Sequence, residues 1–146
     1  MSVRASIPYI CVIDGQGGGI GSVIVKALRN EFGSGLEVMA LGTNAIAAAT
    51  MMKAGANRGA SGDDAIIHSV ALADFVLGPL GIVMANSMMG EMTPAAAAQV
   101  AACRARKLLL PLNQEKTEVV GIVREPLPHL VDEMVRVKLR RHLDNV

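Results

Sequence analysis

The residues of this chain best suited to chemistry stand together in Asp14-Gly15-Gln16-Gly17-Gly18-Gly19-Ile20-Gly21, directly behind the apolar run Tyr9-Ile10-Cys11-Val12-Ile13. Glycines let a backbone approach a ligand closely, and a helix that begins behind them presents unpaired N–H groups and the positive end of its dipole. An apolar run, a glycine loop and then a helical pattern form the signature of a strand that delivers amides to a phosphate. The expected chemistry is therefore binding of a nucleotide or dinucleotide phosphate. Asp14, Gly15, Gln16, Gly17, Gly18, Gly19, Ile20 and Gly21 are the candidate contacts. Asp14 would repel a phosphate unless a cation intervened, so capping of the following turn or a metal-mediated contact suits it better than direct contact.

Spacing narrows the choices. G-x-G-x-x-G fails from Gly15, where the sixth position is Ile20, and from Gly17, where it is Ser22. The P-loop pattern fails as well, because Ile20 stands where its second glycine belongs and no lysine occurs before Lys26. That argues against Walker-type hydrolysis of ATP or GTP. G-x-x-x-G-x-G does fit, at Gly15, Gly19 and Gly21.

The elements that must position this loop follow from periodicity. Pro8 to Ile13 reads as strand one; Ile20, Val23, Ile24, Ala27, Leu28 and Phe32 recur at helical spacing behind the loop. Leu36 to Leu41 reads as strand two, and Thr43 or Asn44 caps a helix from Ala45 to Ala54. Asn57 to Asp64 reads as a polar loop, and Ala65 to His68 as a short strand or a first helical turn. Asp74 to Leu77 is a strand ending at Gly78-Pro79, Ile82 to Met89 a helix apolar nearly all round, and Thr93-Pro94 the start of a helix reaching Arg104. Lys107 to Leu112 and Glu118 to Val123 read as strands; five residues between them are too few for a helical crossover, so the last should be an antiparallel edge. A final helix runs from Pro126 or Pro128 to about Leu143.

Alternating strands and helices predict a three-layer, doubly wound, Rossmann-like α/β fold with a mostly parallel sheet, built as one domain over 1–146. In such a fold the ligand lies outside the carboxyl ends of the strands. Thr43, Asn44, Gly78, Pro79 and Asn113 therefore join the glycine loop as candidate ligand contacts.

Composition sets bounds on function. Apolar residues make up 51% and charged residues 18%, which suits a packed globular protein. Aromatics are only 2%, leaving almost nothing on which to stack bases. Net charge is +1, and the basic residues of the last helix follow acidic ones in an order that complements its dipole, so nucleic-acid and membrane roles are disfavoured. Cys11 and Cys103 lack a partner at ligand spacing and read as buried free thiols in a reducing, cytoplasmic compartment. No charge-free window is long enough for a membrane span. The Met-rich stretch Ile82 to Met89 is core or, failing that, a homo-oligomer interface.

Catalytic machinery is harder to find. His68 stands among Ile66, Ile67 and Val70 and reads as structural; with Asp14, Asn86 and Asn113 it is a polar side chain that an enzyme could use near the cleft. A binding or sensory module for a phosphate-containing small molecule is the favoured reading. A nicotinamide- or nucleoside-using enzyme and a purely structural subunit are the alternatives.

Locally, Val12-Ile13-Asp14-Gly15 through Gly19-Ile20-Gly21 resembles the cofactor loop of the short-chain dehydrogenases. That resemblance implies Gly15, Gln16, Gly19, Ile20 and Gly21 around a pyrophosphate of an NAD(P)-like ligand. The family's catalytic Tyr-x-x-x-Lys is missing, because the only tyrosine is Tyr9, and the ribose-reading acid after strand two is replaced by Gly42-Thr43-Asn44. Over its whole length, through Val12 to Gly21, Ala40 to Ala45, Lys53 to Asn57 and Gly78-Pro79, the chain resembles a bacterial family of small proteins of unknown function. It implies a Rossmann-like fold and no activity.

Overall fold

A computed structural model describes residues 7–112 and 116–144. Five strands, β1 (Tyr9–Asp14), β2 (Glu37–Gly42), β3 (Arg58–Ser61), β4 (Phe75–Pro79) and β5 (Arg106–Leu110), form one sheet in the order β3-β2-β1-β4-β5. Every pairing is parallel. The helices are α1 (Gly19–Phe32), α2 (Ala45–Lys53), α3 (Asp63–Val70), α4 (Pro94–Ala102) and α5 (Leu127–Asp132), which continues through a π-helical stretch Glu133–Leu139 and a last segment Arg140–Asp144.

Side-chain alternation along the strands divides the core in two. Ile10 and Val12 of β1, with Val38, Ala40 and Leu77, pack under α1, α2 and the C-terminal helix. Cys11 and Ile13, with Leu41 and Val76, pack under α3 and α4. The sheet is thus covered on both faces, which is why its central strands are continuously apolar. The result is the three-layer Rossmann-like architecture expected, with the strand order reversing between β1 and β4.

Three local expectations are corrected, and the choice left open at Ala65 to His68 falls to the helix. Glu118 to Val123 does not form an antiparallel edge strand: Gly121 takes the left-handed region at φ +89° and turns the run in its middle, leaving Val120 95% exposed. The stretch Asn57 to Asp64 is not all loop, because Arg58–Ser61 is β3, an exposed four-residue edge paired with β2 from Met39↔Arg58 to Gly42↔Ser61. Ala65 to His68 belongs to α3, whose first turn carries Asp63 and Asp64 at the favourable end of the dipole.

Ile82 to Met89 is not a helix. A 3₁₀ turn (Leu80–Val83) gives way to a loop in which Asn86, Met88 and Met89 all have positive φ, at 65°, 58° and 59°. Gly81, Asn86, Ser87 and Gly90 are poor helix formers, and the loop closes on itself through Asn86 N donating to Met92 O at 2.7 Å. An all-round apolar helix, the feature that points to a homo-oligomer in the sequence, is therefore not formed.

At the amino edge, Arg29 donates to the carbonyls of Gly55, Gly33 and Leu36 and to Asn57 Oδ1, tying the end of α1 to the turns beneath β2 and β3. Arg58 pairs with Glu37 at 2.8 Å on the same edge, far from the carboxyl ends. Arg140 and Arg136 of the last helix reach Glu31 of α1 at 2.6 and 3.3 Å, so part of the basic tail fastens helix to helix. Among the described residues no helix is long and apolar enough to cross a membrane.

Cys11 is fully buried, and burial pushes its thiol up to about 12. Thiol alkylation of the native protein near pH 8 is expected to spare Cys11 and to reach it only after unfolding; rapid native labelling would contradict its burial. The unfolded thiol ionises near its ordinary 9.0 while the folded one stays neutral. Unfolding therefore releases a proton above pH 9.0, and this contribution to stability declines from there toward pH 12.

Candidate functional site

Asp14 ends β1 and is 5% exposed. Its Oδ1 accepts from Gly15 N at 2.8 Å and its Oδ2 from Gly21 N at 2.7 Å. Burial raises its pKa, opposed by the amides of Gly21, Gly15 and Ile20. Because both oxygens take N–H donors, the arrangement suits a carboxylate and not a protonated acid. Asp14 thus caps the first turn of α1 from within, the simpler of its expected roles. Asp14→Asn is expected to destabilise the protein by about 1–3 kcal/mol in denaturant unfolding, because one amide N–H would meet an NH₂ group. An unchanged midpoint would contradict this capping role.

The loop is shaped by two left-handed residues, Gln16 at φ 52° and Gly18 at φ 77°, and by Gly18 N donating to Gly15 O at 2.9 Å. Gly15 must lack a side chain: a Cβ there would lie 2.7 Å from both Thr43 Oγ1 and Met88 Sδ. Ile20 is half-buried at the start of α1, and Gly21 packs that helix against Asp14 and Met51 of α2. Gly17 and Gly19 are exposed, and a Cβ on either would meet nothing within 4 Å. Among the described residues no acceptor engages their amides, so these two N–H groups stay available to a ligand.

Thr43 and Asn44 follow β2 and come to the same loop. Asn44 caps α2, accepting from Ala47 N at 2.8 Å, while its Nδ2 donates to Gln16 O at 2.9 Å. Both residues also serve a partner that the sequence reading missed. Glu91 Oε1 accepts from Gln16 N at 2.8 Å, Thr43 Oγ1 at 2.6 Å and Asn44 Nδ2 at 3.0 Å. These donors, Thr43 and the Gln16 amide foremost, hold its carboxyl below the usual range. One sequence signal was available: Glu91 is the sole charged residue between Asp74 and Arg104.

Beside the loop, between the ends of β1 and β4, lies a cleft of about 570 Å³. Asp14, Gly15, Gln16 and Ile20 line one side, Pro79, Asn86, Ser87 and Met88 another, and Leu112 with Lys116 the rim. Lys116 is the only cation among these lining residues. Gly78 is structural: a Cβ would fall 2.6 Å from Ile13 O, so the glycine lets β4 lie close to β1. Asn113 lies outside the described residues, and His68 is an exposed residue of α3 that does not line the cleft. A second groove of about 720 Å³ runs past Leu80, Pro111, Val119 and Leu130 and shares Leu112 and Lys116 with the cleft. Among the described residues no group of three or more His, Cys, Asp or Glu could hold a metal ion.

The strand-end geometry therefore gathers Asp14 to Ile20, Thr43, Asn44 and Pro79 around one corner of the sheet, at the reversal of strand order where Rossmann-like folds take their ligands. No curated protein matches the chain. A family model described as a domain of unknown function (DUF3842) matches residues 9–142, and the chain belongs to that family.

Proposed function

We propose that the protein binds a phosphate-bearing, nucleotide-type small molecule in the cleft between β1 and β4. The observation that carries this reading is the position of the cleft: it opens at the reversal of strand order, beside a glycine loop whose Gly17 and Gly19 amides have no acceptor among the described residues. A phosphate over these amides would take two hydrogen bonds from the loop, and Lys116, the one cation among the cleft-lining residues, would offer a positive charge to a ligand that reaches from the amides into the cleft.

Binding without turnover is the favoured form. Asp14 spends both oxygens on amides, and Asn86, Ser87 and Lys116 complete the polar lining without an acid–base pair. Free Cys11 and Cys103 fit a cytoplasmic, reducing setting.

A thermal-shift panel of AMP, ATP, NAD, NADP, coenzyme A and S-adenosylmethionine tests the proposal. A ligand at a hundred times its dissociation constant stabilises the fold by about 2.7 kcal/mol, a shift of several degrees in a protein this size. At least one such shift is expected; a flat panel counts against the proposal.

A further inference from the structure

Three donors from two loops converge on a single oxygen of Glu91: the Gln16 amide, the Thr43 hydroxyl and the Asn44 carboxamide. None of the three is charged, so nothing in their geometry distinguishes a carboxylate oxygen from a phosphate oxygen. The Glu91 carboxylate lies against the first glycine of the loop, since a Cβ on Gly15 would stand 3.0 Å from Oε1. Gly15, Gln16 and Met88 line the cleft, whereas Glu91 does not, so its carboxylate fills the space at the β2 side of the cleft without facing the cavity.

The segment that carries Glu91 is itself held in costly backbone. Asn86, Met88 and Met89 all take left-handed conformations, and Met89 is 86% exposed at the tip of the loop. A phosphate on the Gly17 and Gly19 amides would stand one residue from the Gln16 amide that holds Glu91, and two anions so close repel.

We propose that Gln16 N, Thr43 Oγ1 and Asn44 Nδ2 form an anion subsite that Glu91 fills, and that a phosphate oxygen of the ligand replaces Glu91 as segment 84–91 moves off while Met92 stays buried in the core. The subsite extends the cleft from the end of β1 to the end of β2. It deepens, and rests on, the phosphate-ligand reading above. The ligand class that follows has two or more phosphate oxygens to share between the Gly17–Gly19 amides and this seat, as a pyrophosphate does.

The test is calorimetric titration of the full chain with inorganic pyrophosphate and with AMP. Glu91→Ala should bind pyrophosphate about tenfold more tightly than the wild type, because the competing carboxylate is gone. Adding Thr43→Val to Glu91→Ala should remove most of that gain. Glu91→Gln, which keeps the shape and loses the charge, should fall between and serves if the alanine variant does not fold. Unchanged or weaker pyrophosphate binding in both Glu91 variants overturns the subsite. Weaker AMP binding with pyrophosphate unaffected also overturns it, and would make Glu91 an acceptor for ribose hydroxyls.

The two proposals fail in different ways. A wild type that responds to a nucleotide while the Glu91 variants bind no tighter removes the subsite and leaves the cleft ligand standing. A wild type blind to the whole panel while Glu91→Ala binds pyrophosphate, with the gain dependent on Thr43, supports the subsite. No binding of pyrophosphate or nucleotide by any variant removes both.

Discussion

Gly18→Val should lower stability by about 3 kcal/mol, which in a chain of this size moves the melting temperature by roughly ten degrees. Two costs combine. Gly18 is held at φ +77°, where an L side chain loses on the order of 1–2 kcal/mol. Its Cβ would also fall 2.8 Å from Ala47 O and 2.9 Å from Ala47 Cα, which are backbone atoms of α2 and cannot swing aside as a side-chain tip can. Relief requires α1 and α2 to separate, and that opens the layer in which Met51, Ile24 and Leu28 are fully buried. Unfolding followed by circular dichroism measures the effect. A loss below about 0.5 kcal/mol, the range of an ordinary surface substitution, would mean that the loop does not lie on α2 as described.

Gly19→Val, one residue on, should do the reverse. Gly19 is the first residue of α1, lies outside the left-handed region and has open space where a Cβ would be built. Stability should stay within about 0.5 kcal/mol of the wild type. Its isopropyl group would nevertheless stand over the one corner of the loop whose amides have no acceptor among the described residues, so the response to any phosphate ligand should fall by at least about tenfold. Wild-type affinity in a folded Gly19→Val protein would place the ligand elsewhere. Adjacent glycines thus separate what the loop does for the fold from what it does for a ligand.

How much of this was legible in the chain depended on how local each cause is. β1, the glycine loop and α1 were readable because an apolar run, a turn and a helical period follow one another within Tyr9 to Phe32. The parallel sheet followed from helices between strands. β3 was not readable: Arg58-Gly59-Ala60-Ser61 has no β-branched residue, and pairing with β2, not intrinsic preference, makes it a strand. Glu118 to Val123 shows the converse, strand-like residues bent at Gly121 with no face to bury.

The candidate site divides in the same way. Asp14 as an internal cap follows from short-range contacts with Gly15 and Gly21. Glu91 meets Gln16 and Thr43 across 75 and 48 positions of sequence, and only the folded sheet brings them together. A run apolar nearly all round suggested a helix over Ile82 to Met89, yet Gly81, Asn86, Ser87 and Gly90 break that pattern and produce the loop that delivers Glu91.

The central claim, that a phosphate ligand is held by the glycine loop at the end of β1, is tested most directly by amide chemical-shift mapping of the labelled protein during titration with the best ligand of the panel. Saturable shifts centred on Gly17 and Gly19, with the Cys11 region of the core unmoved, are the expected result. Shifts centred instead on the groove by Val119 to Val123, or none at Gly17 and Gly19 at saturating ligand, would contradict it.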